Sequence, residues 1–321
     1  MNKNILIGKN QDELKALCKS INYPEFHGNQ LYKWLYQKSI ISFTDMSNLP
    51  KLLIQALNDT CSMDIMKINK LFKSTIDNTT KYLLETNDNK FIECVSMIDK
   101  NRHTVCISSQ IGCSVDCSFC ATGKMGIIRN LTTGEIIQQL YIVNKNIKTP
   151  ITNIVFMGMG EPFLNYNNVI KACNIINDQN GFNISSKKIT ISTSGILPKI
   201  KQFIKDREKF KLAISLNASN NITRDKLIPI NKKWPIESLI TELKKYKYNK
   251  YRPIMFEYVL MKNINDSEKD AESLIKILKD INCKINIIPY NDISKEYNRP
   301  EISKIENFAR ILNESNHQLK T

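Results

Sequence analysis

The start of this 321-residue chain, MNKNILIGKNQDELK, lacks the apolar stretch of an export signal. No later segment approaches the roughly 20 apolar residues of a membrane-spanning helix, so the chain is expected in the cytoplasm, with no membrane partner. Glycine and proline are scarce at ten each, and they gather into no linker. A repeat of fixed period is missing too, which excludes solenoid and propeller architectures. Cysteine is sparse outside one short cluster and odd in number at nine, unlike the disulfide framework of a small secreted domain. Metal binding or thiol chemistry is the better expectation. What is present is 42% hydrophobic content over a length that fits one large domain, or one large and one small. Disorder is excluded on that ground. The formal net charge of +15 points to a polyanionic partner such as nucleic acid, although Lys, Asn and Ile abound throughout and part of the excess is compositional background.

Residues 11 to about 60 read as helical, with apolar positions at helical spacing in DELKALCKSI, NQLYKWLYQK and LPKLLIQAL. Short β-prone runs follow at 69–75, 80–85 and 91–98, separated by turn signals such as Asp77-Asn78 and Asn87-Asp88-Asn89. Residues 1–100 are therefore taken as an accessory region, set apart from 101–321. From residue 102 onward strand-like and helix-like segments alternate, as in a parallel sheet with crossover helices. The strands are HTVCISS, NIVFMG, KKITIST, KLAISL, IMFEYVL and CKINIIP, each the kind of apolar or β-branched run that a buried parallel strand requires. Helices are expected at about 133–145, 167–178, 196–206, 236–247, 267–280 and 302–314, the first opening on a capping box of Thr132 and Glu135. Six βα units are compatible with a doubly wound sheet or with a barrel short of eight. In either case the loops after the strands share the face where such folds place chemistry.

Directly after the first of these strands, Cys113-Ser-Val-Asp-Cys117-Ser-Phe-Cys120 sets three thiols within eight residues. Such a C-x3-C-x2-C loop can wrap three corners of a cubane and leave the fourth iron without a protein ligand. A [4Fe–4S] cluster ordinarily takes four thiolates, so an open iron can chelate a substrate's amino and carboxylate groups instead. A zinc site of Cys3His type is the competing reading. It prefers tetrahedral closure and C-x2-C pairs, whereas His103 and His317 lie at no fitting spacing and the next cysteine is Cys106, seven residues upstream.

CSVDCSFC resembles the radical S-adenosylmethionine (SAM) signature, and HTVCISSQIGCSVDCSFCATGKMG with RNLTTGEI is similar, more narrowly, to the RlmN/Cfr family of RNA adenine methyltransferases. The likeness continues through NIVFMGMGEPFLNYNNV, KKITISTSG, AISLNA, RDKLIPINKKW and CKINIIPYN, covering about 90–315. The helical N-terminal segment also looks like the family's accessory domain. The fold this implies is α/β, a partial (β/α)6 radical SAM barrel with a small N-terminal helical accessory domain.

Residue by residue, the resemblance assigns what spacing leaves open. Gly158-Met-Gly160-Glu161-Pro162 by itself reads as a structural turn; in the family the positions of Gly160 and Glu161 contact SAM. Ser192, Ser215, Leu216 and Asn217 at the ends of two strands, and Asn291 after the last, match other SAM-contacting positions, with His standing in some relatives where this chain has Asn217. Cys106 in its strand would ordinarily be a small core residue, but it matches the family's catalytic thiol. Glu93 interrupts an apolar strand, so it must be paired or functional, and it matches a proposed proton acceptor.

Position two of adenine is an aromatic C–H with neither acidity nor nucleophilicity, so direct methyl transfer from SAM cannot reach it and radical chemistry must supply the driving force. In the family one SAM methylates a C-terminal cysteine, and a second is cleaved reductively to a deoxyadenosyl radical that activates the new methyl group toward the base. The resemblance thus implies formation of 2-methyladenosine in 23S rRNA and in tRNA next to the anticodon, on a base that is exposed or unstacked. Implied with it are a [4Fe–4S] cluster, SAM, an electron donor such as flavodoxin or ferredoxin, and a monomeric state. A Cfr-like adenine-C8 methyltransferase and an inactive RNA-binding iron–sulfur remnant are the alternatives. Family members end in an Ala-Cys-Gly-Gln-Leu type segment whose cysteine carries the methyl group. This sequence ends at HQLKT, and its last cysteine, Cys283, begins a strand at the wrong end. The expectation is that the chain as written binds cluster and SAM but does not complete transfer.

Overall fold

A computed structural model describes residues 3–246, 252–292 and 296–314. In chain order its first half comprises β1 (Asn4–Ile5), α1 (Gln11–Ser20), α2 (Phe26–Tyr32), α3 (Lys51–Thr60), β2 (Cys61–Ser62), β3 (Lys67–Lys73), β4 (Asn78–Glu85), β5 (Phe91–Asp99), β6 (Arg102–Cys106), β7 (Gln110–Gly112), β8 (Ile127–Asn130) and α4 (Thr133–Asn146). There follow β9 (Asn153–Phe156), α5 (Tyr166–Asn177), β10 (Ile189–Thr193), α6 (Leu197–Lys205), β11 (Lys211–Ser215), α7 (Asn221–Leu227), α8 (Ile236–Leu243), β12 (Ile254–Leu260), α9 (Glu268–Leu278), β13 (Cys283–Pro289) and α10 (Ile302–Glu314). The six expected parallel strands are β6 and β9–β13. The terminal HQLKT lies outside the described residues. The chain packs into two compact units that interleave in sequence: 1–111, 129–159 and 165–189 form one, and 112–128, 160–164 and 190–321 the other.

In the first unit the strands run in the order β9-β6-β5-β4-β3, parallel between β9 and β6 and antiparallel from there outward. Period-two patterning divides the two faces. Ile92, Cys94 and Ser96 of β5 are buried, as are Tyr82 and Leu84 of β4, whereas Glu93, Val95 and Met97 on the other side are only half-buried. α1 begins on a capping box between Asn10 and Glu13, and α4 on the one expected from Thr132 and Glu135. Arg129 reinforces that start by forking between Glu135 and Asp88 of the β4–β5 turn, at 2.7 Å to each. Helix α4 is buried nearly all round from Thr133 to Val143, and its two buried amides are fully used, as burial of a polar group demands. Gln138 accepts from Met66 N and donates to Asp64 O, while Gln139 accepts from Ser108 N and donates to Ser108 O.

The second unit holds a wholly parallel ladder in the order β10-β11-β12-β13. Its central residues Ile191, Leu212, Ala213, Ile214, Phe256 and Tyr258 are buried, because helices must cover both faces of a parallel sheet. The C-terminal ends of these strands share one edge. α7, seven residues long, has no counterpart in the sequence reading. The helix expected over 236–247 ends at Leu243.

Candidate functional site

The cysteine loop belongs to the second unit. β7 and β8 form a two-stranded ladder at its base, and Cys113 N–H donates to Gly126 O at 2.9 Å. Gly112 has φ +75°, and a Cβ there would lie 1.9 Å from Gly126 O, so only glycine permits this closure. The loop then docks on the end of α7, where Ser118 N–H donates to Leu227 O at 3.0 Å. Tyr297 Oη donates to, or accepts from, Ser118 Oγ at 2.7 Å. Val115, Leu227, Ile228, Met261, Tyr290 and Tyr297 form an apolar cluster, with Cys113, Cys117 and Phe119 packed against it.

The nine cysteines separate by exposure. Cys18, Cys61, Cys94, Cys173 and Cys283 are buried, whereas Cys113, Cys117, Cys120 and Cys106 are partly accessible. Burial pushes the Cys113 thiol up to about 11. The Cys117 thiol is also raised, above all by burial, then by Cys120, Cys113 and the Glu161 carboxylate, with the Arg224 guanidinium opposing. The three loop cysteines thus lie within electrostatic reach of one another, and Glu161 within reach of Cys113 and Cys117. Among the described residues no three His, Cys, Asp or Glu side chains gather tightly enough for a single ion; a cubane spreads its thiolates over separate corners.

Gly160, with φ +96°, leads into Glu161, which is 4% exposed. One carboxylate oxygen of Glu161 accepts from Phe163 N–H at 2.9 Å. The other accepts from both the N–H and the Oγ–H of Ser194 at 2.7 Å. Burial raises the pKa of this carboxyl, while the Ser194 and Phe163 donors pull it back. Ser194 follows β10, whose Ser192 Oγ stands 3.5 Å from Ser215 Oγ at the end of β11.

Arg224, in α7 and 1% exposed, ties these strand ends together. Its guanidinium donates to Leu216 O at 3.0 Å, Ser194 O at 2.6 Å, Ser215 O at 3.2 Å and Asn231 Oδ1 at 2.9 Å. Burial lowers its pKa to about 10. Thus Glu161, Ser192, Ser215 and Leu216 share one network with the cysteine loop, and the two residues that close it, Ser194 and Arg224, were not singled out in the sequence. The only signal for Arg224 was its place in RDKLIPINKKW. Asn217 is buried with φ +56°, a region Asn tolerates. Its Oδ1 accepts from Val259 N–H at 2.8 Å, and its backbone carbonyl accepts from Asn265 Nδ2. Asn291 is exposed after β13, and none of these hydrogen bonds reaches it.

Glu93 and Cys106 lie in the first unit, on one face of its sheet. Val95 pairs with Cys106 across β5 and β6, so Glu93 is the diagonal neighbour of the thiol, at roughly 7–8 Å between backbones. Lys81 Nζ bonds Glu93 Oε1 at 2.9 Å. Burial pushes the Cys106 thiol up to about 11, opposed by a backbone bond from Met157. The strand ends are pinned by Ser108, also unforeseen: its buried Oγ donates to Glu93 O at 2.6 Å and accepts from Met159 N–H at 2.9 Å.

Comparison with known proteins agrees with this geometry. Residues 107–275 match the Radical SAM superfamily model, and residues 4–63 match the ribosomal RNA large subunit methyltransferase N-terminal domain. Among curated proteins, the probable dual-specificity RNA methyltransferase RlmN of Dictyoglomus turgidum is 44% identical over 94% of this chain and 87% of its own length. The dual-specificity RNA methyltransferase RlmN of Vesicomyosocius okutanii is 42% identical over 97% and 89%. A crystal structure of a radical SAM methyltransferase from Sphaerobacter thermophilus superposes with a TM-score of 0.93 at 34% identity, covering 99% of this chain and 94% of that one. The radical SAM α/β fold is thereby established, and enzymes of this superfamily work with a [4Fe–4S] cluster and SAM. No helix among the described residues is long and apolar enough to cross a membrane. The chain belongs to the radical SAM superfamily and, within it, to the RlmN family of RNA methyltransferases.

Proposed function

We propose that this chain modifies RNA at adenine C2, forming 2-methyladenosine in 23S rRNA and in tRNA beside the anticodon. In this reading Cys113, Cys117 and Cys120 hold the cluster, and Gly160, Glu161, Ser192, Ser215, Leu216, Asn217 and Asn291 receive SAM. The observation that carries it is the buried Glu161 carboxylate. It bonds the strand end that bears Ser192 and lies within electrostatic reach of Cys113 and Cys117. The donor set fits the cofactors: three accessible thiols on one loop suit a cluster with an open iron, and a buried carboxylate beside them suits the ammonium of SAM. When bound on Cys113, Cys117 and Cys120, the cluster would supply the electron needed for reductive cleavage of SAM.

The protein's own contribution is positional. Glu161 orients the methionine end, the hydroxyls of Ser192 and Ser215 offer hydrogen bonds to SAM, and the buried apolar cluster keeps water from the cysteine loop. Glu93 is read as the proton acceptor and Cys106 as the thiol that helps resolve the enzyme–RNA adduct, both on the same sheet face. Residues 1–100 are read as an accessory region contacting RNA, and 101–321 as the catalytic domain. The protein acts in the cytoplasm as a monomer, with a flavodoxin or ferredoxin as electron donor.

The test is anaerobic incubation of the reconstituted protein with methyl-labelled SAM, reductant and RNA, followed by mass spectrometry of nucleosides. Deoxyadenosine release with label at adenine C2 is expected; deoxyadenosine without labelled RNA overturns the reading. Label at C8, or no SAM cleavage at all, overturns the reading.

A further inference from the structure

Strand register places Phe72, Lys81, Val95 and Cys106 in one row across β3, β4, β5 and β6. Residues paired directly across a ladder point to the same face, so all four share the face that carries Glu93. At three inter-strand spacings, Phe72 stands roughly 14 Å from Cys106. Phe72 is 42% exposed, and two ammonium groups approach its ring, Lys70 Nζ at 4.9 Å and Lys81 Nζ at 5.1 Å from the centroid. Lys70 pairs with Leu83, two residues beyond Lys81 on β4, and so lies on this face too. Phe91, also 42% exposed, is two residues from Glu93 on the same face.

β3 ends the order of strands, and edge strands commonly carry lysines and bulges that discourage pairing with another chain. That accounts for exposed Lys67 and Lys73 and for the irregularity between Ile68 and Lys70. It does not account for an exposed aromatic ring approached by two cations in line with the thiol. Single-stranded nucleic acid is bound by this combination, an aromatic face for a base and ammonium groups for the flanking phosphates.

We propose that the open face of β3–β6 is a docking strip for the single-stranded RNA flanking the target adenosine, with one neighbouring base stacked on Phe72 and adjacent phosphates on Lys70 and Lys81. This rests on the reading of Cys106 and Glu93 as the residues that act on the base. An entering base displaces one ammonium from the ring, a contact worth little at an exposed site, and that ammonium meets the next phosphate. The strip sets which nucleotides beside the target are gripped, and it tolerates any base because every base has a flat face. An acidic redox protein would also suit the charge, but it has no use for a stacking ring in the same cross-strand row as the Cys106 thiol.

The experiment uses the reconstituted full chain and fluorescent RNA hairpins with an unpaired adenosine, read by anisotropy, with 2-aminopurine placed in turn at the positions around it. Phe72→Ala is expected to raise Kd about fivefold or more and to abolish the quenching of 2-aminopurine at one flanking position. Phe72→Trp should stay within about twofold of the native protein, since indole stacks equally well, and Lys70→Ala should lower the salt slope by about 0.7. Thermal melts of each variant confirm folding. An unchanged Kd for Phe72→Ala overturns the strip alone. The same holds if Phe72→Ala slows reduction by the donor protein while RNA affinity stays native. If the unmodified protein itself has no affinity for RNA, the RNA reading falls and the strip with it.

Discussion

The two units treat charge in opposite ways. In the second, Glu161 and Arg224 are both buried, each held by several hydrogen bonds, and no described ion pair joins them. In the first, Glu93 and Lys81 pair openly, with side chains 43% and 41% exposed. Buried charges are expensive and persist only when every donor and acceptor is satisfied, whereas an exposed pair is cheap and easily parted. The lesson is a division of labour. In the proposed reading, an oxygen-sensitive cluster and a small charged cofactor call for an enclosed, rigid setting, and a macromolecular substrate calls for a face that stays open.

The largest effect should come from the cysteine loop. Changing Cys113, Cys117 or Cys120 to Ala is expected to abolish iron and sulfide binding after anaerobic reconstitution, whereas Cys173→Ala, at a buried thiol, should leave the iron content intact. Equal loss from both would erase the distinction between accessible and buried thiols. Arg224→Met removes the guanidinium from four acceptors and should cost about 3 kcal/mol or more, read by denaturant unfolding. Arg224→Lys keeps the charge but not the fork, so it should recover only part of that loss.

Glu161→Gln keeps the shape and removes the charge, and SAM affinity measured by calorimetry should fall about tenfold while iron content stays native. An unchanged affinity would remove Glu161 from the SAM site. In the first unit, Ser108→Ala leaves a buried Glu93 carbonyl and Met159 N–H without their hydroxyl and should cost about 1–3 kcal/mol by thermal melt.

The smallest effect is electrostatic. Burial pushes the Glu13 carboxyl up, but the Lys171 ammonium and the Asn10 N–H outweigh it and hold it below its usual value. A depressed carboxyl stabilises the fold above its ordinary range and loses that contribution as pH falls through the folded value. Glu13→Gln should therefore narrow the stability difference between pH 7 and pH 3, by under about 1 kcal/mol for so exposed a pair.

Much of the fold was legible because buried parallel strands are apolar on both faces: NIVF, ITIST, KLAIS and IMFEYVL stand out as strands without knowledge of their neighbours. The α4 start was legible from Thr132 and Glu135 because a capping box is a contact three residues apart. α7 was not, since its seven residues are too few for periodicity to show. Arg224 was equally hidden. Arginine is ordinarily a surface residue, and only the convergence of the β10 and β11 ends supplies the carbonyls that let it be buried. Ser108 and Ser194 were hidden for the same reason, because their partners are 15 and 33 residues away. Asn217 was legible in position, but the bond from Val259 N–H of β12 to its Oδ1 was not, because the two residues are 42 positions apart.

The sequence alone determined the identity of the chemistry: three thiols in C-x3-C-x2-C order, a Gly-Glu turn after the next strand, and the alternation that brings strand ends to one edge. These are local or periodic features, and local features survive in a linear string. Tertiary structure decided which charges are enclosed and which are open. It buried Glu161 and Arg224 in a shared network and left Glu93 facing Lys81. It also aligned Phe72 with Cys106 across three strand pairings, a register fixed by hydrogen bonds between segments far apart in sequence. Burial and register are properties of what packs beside a residue, and no residue carries that information in its own name.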